Sequence, residues 1–124
     1  MGFRNNLYFI DNIERNGDCV VYTFHLNPEH IIYKAHFPGE PITPGVCILQ
    51  IGVELLADAV GTPVEINCVK NVKFLSILHP DIQPLRVEIH RLVVDGLTVN
   101  AQIVFKSIDT IIAKMSLICL KTAN

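Results

Sequence analysis

Residues Gly45 to Pro63 read GVCILQIGVELLADAVGTP, and the fold turns on this stretch. From Gly45 to Val60 the segment is apolar almost all round, the pattern of a helix buried on most sides rather than one lying on a surface. Gly61-Thr62-Pro63 closes it with the glycine-then-proline signal found just past a helix C-terminus. Its only strongly polar residues are Gln50, Glu54 and Asp58. Their four-residue spacing sets them along one edge of the helix. A buried helix with a polar edge needs partners for that edge. Asp58, close to the negative end of the helix dipole, calls for a cation.

Outward from the helix the pattern changes on both sides. His36 to Gly45 (HFPGEPITPG) holds three prolines and two glycines, which leaves little room for regular structure and predicts a loop. The stretch before it, from Asn27-Pro28, also reads as loop. Asp18 to Leu26 (DCVVYTFHL) is rich in β-branched and aromatic residues and predicts a strand. Beyond the helix, strands are predicted at Val64 to Leu75, Pro84 to Val94, Leu97 to Lys106 and Thr110 to Leu120, with Asp95-Gly96 joining the middle pair as a hairpin. One buried helix, a strand before it and an antiparallel meander after it imply an α+β domain with the sheet wrapped round the helix.

The chain has 124 residues, the size of one domain spanning 1–124. Half of the residues are apolar and the mean hydropathy is +0.38. That is high for a small protein standing alone, so a dimer or higher oligomer is expected. A net charge of −2 without like-charge runs gives no electrostatic case for nucleic acid or an anionic membrane. Met1 to Asn12 holds no long apolar stretch, so neither a signal peptide nor a membrane span is expected there, and the expected location is cytoplasmic. Cys19, Cys47, Cys68 and Cys119 lie far apart inside apolar segments and read as buried free thiols rather than metal ligands. No nucleotide-binding glycine loop or metal-ligand cluster stands out, so no cofactor and no metal are expected.

The run His36-Phe37-Pro38-Gly39-Glu40-Pro41-Ile42-Thr43-Pro44-Gly45-Val46, followed by the helix, closely resembles the signature loop of the β-hydroxyacyl-acyl carrier protein dehydratases of bacterial fatty acid synthesis, the hot-dog family that contains FabZ and FabA. Val72-Lys73-Phe74 and His79-Pro80-Asp81 resemble that family's following strand and turn. The resemblance implies a hot-dog fold, an antiparallel sheet around a long central helix. It implies that His36 is the catalytic base or proton shuttle, that the Gly45 amide receives the thioester carbonyl, and that Phe37 and Val46 join Gly45 in binding substrate. The chemistry fits. Removing an α-proton from a thioester puts charge on the carbonyl oxygen, and an amide at a helix N-terminus is a preorganised donor for it. Histidine suits the proton transfer because its ordinary pKa of about 6.5 lies near working pH.

One position departs from the family. Its members carry an acid on the central helix, supplied by the opposite subunit, and the residue that aligns here is Gln50. Glutamine can hold a water or a hydroxyl but has no proton to give up. Glu54, one turn further and about 5.4 Å along the axis, stands where many such dehydratases have glutamine. Either Glu54 has taken over the acid role, which makes Gln50 and Glu54 catalytic candidates together with His36, or it is a paired buried carboxylate.

Three functions follow from the resemblance and its departure. The first is a lyase that removes water from 3-hydroxyacyl thioesters of acyl carrier protein or coenzyme A. The second is a hot-dog thioesterase in which Glu54 activates water. The third is a non-catalytic or half-active subunit that forms a heterodimer with an active, related hot-dog chain. Lys34, Lys70, Lys73 and Arg86 read either as a basic rim for an acidic carrier protein or as scattered solvated charges. His25, His30, His79 and His90 lack the context of His36 and read as packing or solvent-exposed residues.

Overall fold

The computed structural model describes residues 2–122. The elements run β1 (Tyr8–Asn16), β2 (Cys19–Leu26), α1 (Ile32–Ala35), α2 (Gly45–Val60), β3 (Val64–Phe74), β4 (Leu85–Asp95), β5 (Thr98–Lys106) and β6 (Ile111–Lys121). The six strands form one sheet in the order β1-β2-β4-β5-β6-β3. Every neighbouring pair is antiparallel.

Side chains alternate across the sheet, and one face is the core. Val20, Tyr22, Phe24 and Leu26 of β2 are buried, as are Leu85, Val87 and Ile89 of β4 and Val99, Ile103 and Phe105 of β5. Period-2 burial is what a strand with one covered face must show. α2 covers that face. Its 16 residues make a rod of about 24 Å, a helix of ordinary length lying on the sheet. At Gly52 it presses close to β5 and β6, where an added Cβ would sit 3.2 Å from Met115 Sδ and 3.5 Å from Phe105 Cε1. The helix ends as its sequence predicts. Gly61 takes the left-handed conformation (φ 77°), and its N–H donates to the Ala57 and Asp58 carbonyls at 2.9 and 3.3 Å.

Two elements escape the sequence reading. β1 was not among the predicted strands, yet Tyr8–Asn16 pairs along β2. It is an edge strand with six of its nine residues exposed, so it carries no alternating apolar pattern to reveal it. The second is α1, a single turn inside the expected loop, where His30, one residue before the N-cap Ile31, accepts the Ile32 N–H on Nδ1 at 3.1 Å.

The other edge, β3, has the opposite character. It holds valines, an isoleucine and a phenylalanine, but nearly all of it is exposed. Ile66 is 38%, Val69 44% and Phe74 49% exposed. The expectation of four buried thiols fails on this strand: Cys47 and Cys119 are buried and Cys19 half-buried, but Cys68 is exposed. Among the described residues most of β3 stays uncovered, so an apolar segment does not here mean a buried one. Among the described residues no helix is long and apolar enough to cross a membrane.

Candidate active site

The proline-rich loop is fixed by its own backbone and by two neighbours. His36 closes α1 with its N–H on the Ile32 carbonyl (3.0 Å), and the peptide that follows it is cis. Phe37 and Glu40 exchange a pair of backbone bonds, 3.0 Å each, and the Ile42 N–H returns to the His36 carbonyl at 2.8 Å. Gly39 turns the chain at φ 81°, a conformation that glycine takes without strain. The connection after β3 then clasps the loop. The Thr43 N–H donates to the Leu78 carbonyl at 2.8 Å, and His79 Nδ1 donates to the Pro41 carbonyl at 3.1 Å. Because a carbonyl only accepts, that His79 nitrogen carries the proton. Inside, the hydroxyls of Tyr33 and Thr43 share a buried bond of 2.8 Å. His79 and Tyr33 therefore hold the loop, a role that the sequence reading did not assign to either.

This clasp delivers Pro44 as the N-cap of α2 and Gly45 as its first residue. The first amides of a helix have no partner within it. The Cys47 and Ile48 N–H groups turn back to the Pro44 carbonyl. Those of Gly45 and Val46 have no acceptor among the described residues, so two donors stand free at the positive end of a 16-residue helix. Phe74 lies across this end. A Cβ at position 45 would fall 2.9 Å from its Cζ, so glycine is required for the ring to lie there. Phe37 and Val46, 53% and 73% exposed, add apolar surface beside the loop and the helix start. The His36 ring is half-buried, packs edge-on to Phe37 with centroids 5.4 Å apart, and makes no hydrogen bond among the described residues.

The polar edge of α2 has found its partners in the first residues of the chain. Glu54 accepts from the Phe3 N–H (2.9 Å to Oε2, 3.1 Å to Oε1), the Arg4 N–H (3.0 Å) and the Tyr8 hydroxyl (3.0 Å). Gln50 Nε2 donates to Glu54 Oε2 at 2.9 Å. A carboxylate offers about four lone-pair sites, and these donors occupy them. Asp58, one turn on, accepts from Tyr22 at 2.6 Å and Arg4 at 2.9 Å. The cation expected for Asp58 is thus Arg4. Burial by itself would raise the Asp58 carboxyl, but the Tyr22 and Arg4 bonds and the charges of Arg4 and Arg15 outweigh it and hold the group below its ordinary value. Burial, followed by the Glu54 carboxylate, pushes the Tyr8 phenol well above its ordinary value, so it stays a donor. Sequence could not reveal these contacts, since two of the Glu54 donors are backbone amides, which any residue supplies.

Of the residues singled out from sequence, Gln50 and Glu54 are thus brought together, while His36 lies in the loop with Phe37, and Gly45 and Val46 follow at the helix start. Within the chain no hydrogen bond joins His36 to Gln50 or Glu54. Of the remaining histidines, His25 pairs with Asp11 (2.9 Å) and stacks on Phe9, at the surface. Among the described residues no group of three or more His, Cys, Asp or Glu is placed to hold a metal ion.

Comparison with known proteins bears on this arrangement. The chain is 27% identical over 95 residues to the 3-hydroxyacyl-[acyl-carrier-protein] dehydratase FabZ of Lactiplantibacillus plantarum, a match covering 68% of this chain and 65% of that protein. The chain thus spans somewhat less than two thirds of that curated relative. Among solved structures, the dehydratase heterocomplex ApeI:P from Xenorhabdus doucetiae superposes with a TM-score of 0.73 at 16% identity, over 91% of this chain and 97% of that one. A hypothetical thioesterase with coenzyme A from Streptococcus pneumoniae superposes at 0.65 with 12% identity, over 94% and 87%. These neighbours share the hot-dog architecture, an antiparallel sheet with a helix on it. The family model for ApeI-like dehydratases matches residues 12–106, well over half of the sequence, and the chain belongs to that family.

Proposed function

We propose that the chain is a dehydratase-like lyase acting on 3-hydroxyacyl thioesters of acyl carrier protein or coenzyme A, in fatty acid or related acyl chain synthesis in the cytoplasm. The observation that carries this reading is the junction of loop and helix: His36 opens a clasped loop that leads into the free Gly45 and Val46 amides. His36 takes the α-proton. Negative charge moves to the thioester oxygen, where the Gly45 amide meets it, and such a preorganised donor is worth a factor of about 10² to 10³ in rate. Phe37 and Val46 cover the acyl chain. Gln50, with its nitrogen engaged by Glu54, offers Oε1 to the 3-hydroxyl. His36 then returns the proton as the hydroxyl leaves as water. Glu54 is a positioning residue in this scheme, because its lone pairs are already taken.

The site is shared between subunits on this reading. Two copies pair along the open β3 edges, so that the joined sheet encloses both helices and His36 of one chain faces Gln50 of the other. The exposed apolar residues of β3 support the pairing. A second reading is favoured by the same Gln50–Glu54 bond: the chain pairs with a related hot-dog subunit that supplies the missing acid, and works as half of an enzyme. A thioesterase using Glu54 to activate water would need that carboxylate free.

Product analysis tests the proposal. The purified chain, alone and mixed with an acid-bearing hot-dog chain, is given a panel of 3-hydroxyacyl thioesters. Enoyl thioester from the chain alone supports the lyase, and enoyl thioester only from the mixture supports the half-enzyme. Release of free acid overturns both.

A further inference from the structure

On the sheet face turned away from α2, three side chains stand in line outside the site described above. Val20 of β2 pairs with Ile89 of β4, and both point into the core, so their neighbours Cys19 and His90 fall side by side on the outer face. Cys19 Sγ lies 3.5 Å from His90 Nδ1, and His90 Nε2 lies 2.9 Å from Glu88 Oε1. Glu88 is itself fixed by Lys106 Nζ at 3.0 Å, with Arg86 Nη2 at 3.8 Å. Burial would raise the Glu88 carboxyl, but hydrogen bonds from Lys106 and His90 outweigh it and keep the group below its ordinary value. An anionic Glu88 fixes the tautomer: the imidazole proton sits on Nε2, and the bare Nδ1 faces the thiol. A nucleophile within reach of a base, and a base oriented by a third group, is the arrangement of an activated nucleophile.

We propose that Cys19, His90 and Glu88 form a thiol–imidazole–carboxylate relay that makes Cys19 a nucleophile toward α,β-unsaturated thioesters, the class of product the proposed lyase releases. The Sγ proton passes to His90 Nδ1 as sulfur bonds to the β-carbon. The double-bond electrons move toward the carbonyl, and His90 returns the proton to the α-carbon. The adduct is a thioether that keeps every atom of the electrophile, with no leaving group and no oxidant. Burial raises the Cys19 thiol, with Glu88 and Asp18 adding to the rise. The resting group is therefore a neutral thiol that reacts only by handing its proton to His90. Cys19 is half-buried and the His90 side chain 40% exposed, so a small electrophile can reach them. Nothing in this chemistry uses His36, so the relay stands or falls apart from the lyase.

The full chain is incubated with the crotonyl thioester of N-acetylcysteamine, and adducts are mapped by peptide mass over time, with added glutathione as the reference thiol. The expected result is an adduct at Cys19 whose rate falls on the order of 10²-fold in His90→Gln, while the glutathione rate is unchanged. Glu88→Gln, which leaves the Cys19–His90 contact but removes the charge that fixes the His90 tautomer and pairs with Lys106, should slow Cys19 as well. It serves as the reading variant if His90→Gln fails to fold. A Cys19 rate that neither substitution changes, or the absence of an adduct at Cys19, overturns the relay.

Discussion

Gln50 Nε2 donates to Glu54 Oε2 at 2.9 Å, one turn apart along α2. A carboxylate oxygen cannot donate, so the Gln50 atom facing it is the nitrogen, and Oε1 is left to accept. The order of this amide and carboxylate decides what the site can do. The carboxylate has been drawn to the end of the helix edge where Phe3, Arg4 and Tyr8 supply donors. The Gln50 end of the edge is neutral.

Glu54→Gln should therefore behave as a stability mutant. It puts amide nitrogen opposite some of the donors that now meet the carboxylate, and bonds to a charged acceptor contribute about 1.5–3 kcal/mol each. A fall in Tm of about 5–10 °C is expected, with turnover per folded molecule kept within about tenfold of wild type. Scanning calorimetry alongside initial rates checks this; a full-stability variant without activity would instead make Glu54 an acid.

Gln50→Glu alone places two carboxylates in contact and should destabilise the chain. Combined with Glu54→Gln the amide and carboxylate trade places, and the repulsion is gone. A double-mutant cycle should give a coupling of about 1–3 kcal/mol in favour of the pair. Additive costs, measured by urea unfolding, would mean that the two side chains do not act on each other.

Gly45→Ala would ordinarily be neutral or stabilising in a helix by up to about 1 kcal/mol. Here the methyl meets the Phe74 ring at 2.9 Å, and overpacking typically costs about 1–3 kcal/mol. The clash wins. Gly45→Ala should lower stability in the wild-type background and lose that cost when Phe74→Ala is present. Equal effects in both backgrounds would show that the ring does not lie over the helix end.

Acid should act through Asp58. Its folded value lies below the ordinary 3.8. Its contribution is thus complete above that value and is lost as pH falls through the folded one. Asp58→Asn should flatten the acid limb of the stability curve below about pH 4. Arg4→Ala should do so less, because Arg4 is 46% exposed and its charge is screened, whereas the Tyr22 bond is short at 2.6 Å. Chemical denaturation from pH 2 to 7 reads both.

Much of the fold was legible because its signals are local. Gly45 and Gly61 bound α2, and Asp95-Gly96 marks the β4–β5 turn, with Gly96 at φ 62°. β1 was not legible, since an edge strand exposed along most of its length has no pattern to display. Nor was the exposure of Cys68 and Val69, because an apolar strand reads the same whether its own chain covers it or another does. Of the candidate site, the proline-rich loop leading into the helix at Gly45 and the polar edge of Gln50, Glu54 and Asp58 were legible from sequence. The strap that occupies Glu54 could not, because Phe3 and Arg4 reach it through backbone amides more than forty residues away in sequence.

The most direct test of the account is the initial rate of enoyl thioester formation from a 3-hydroxyacyl thioester by wild type and by His36→Ala, each shown to be folded. With an acid-bearing hot-dog chain present in both assays, the half-enzyme reading is covered as well. The account expects wild type to turn the substrate over and His36→Ala to lose a factor of about 10² to 10⁴. A His36→Ala protein as active as wild type would contradict it.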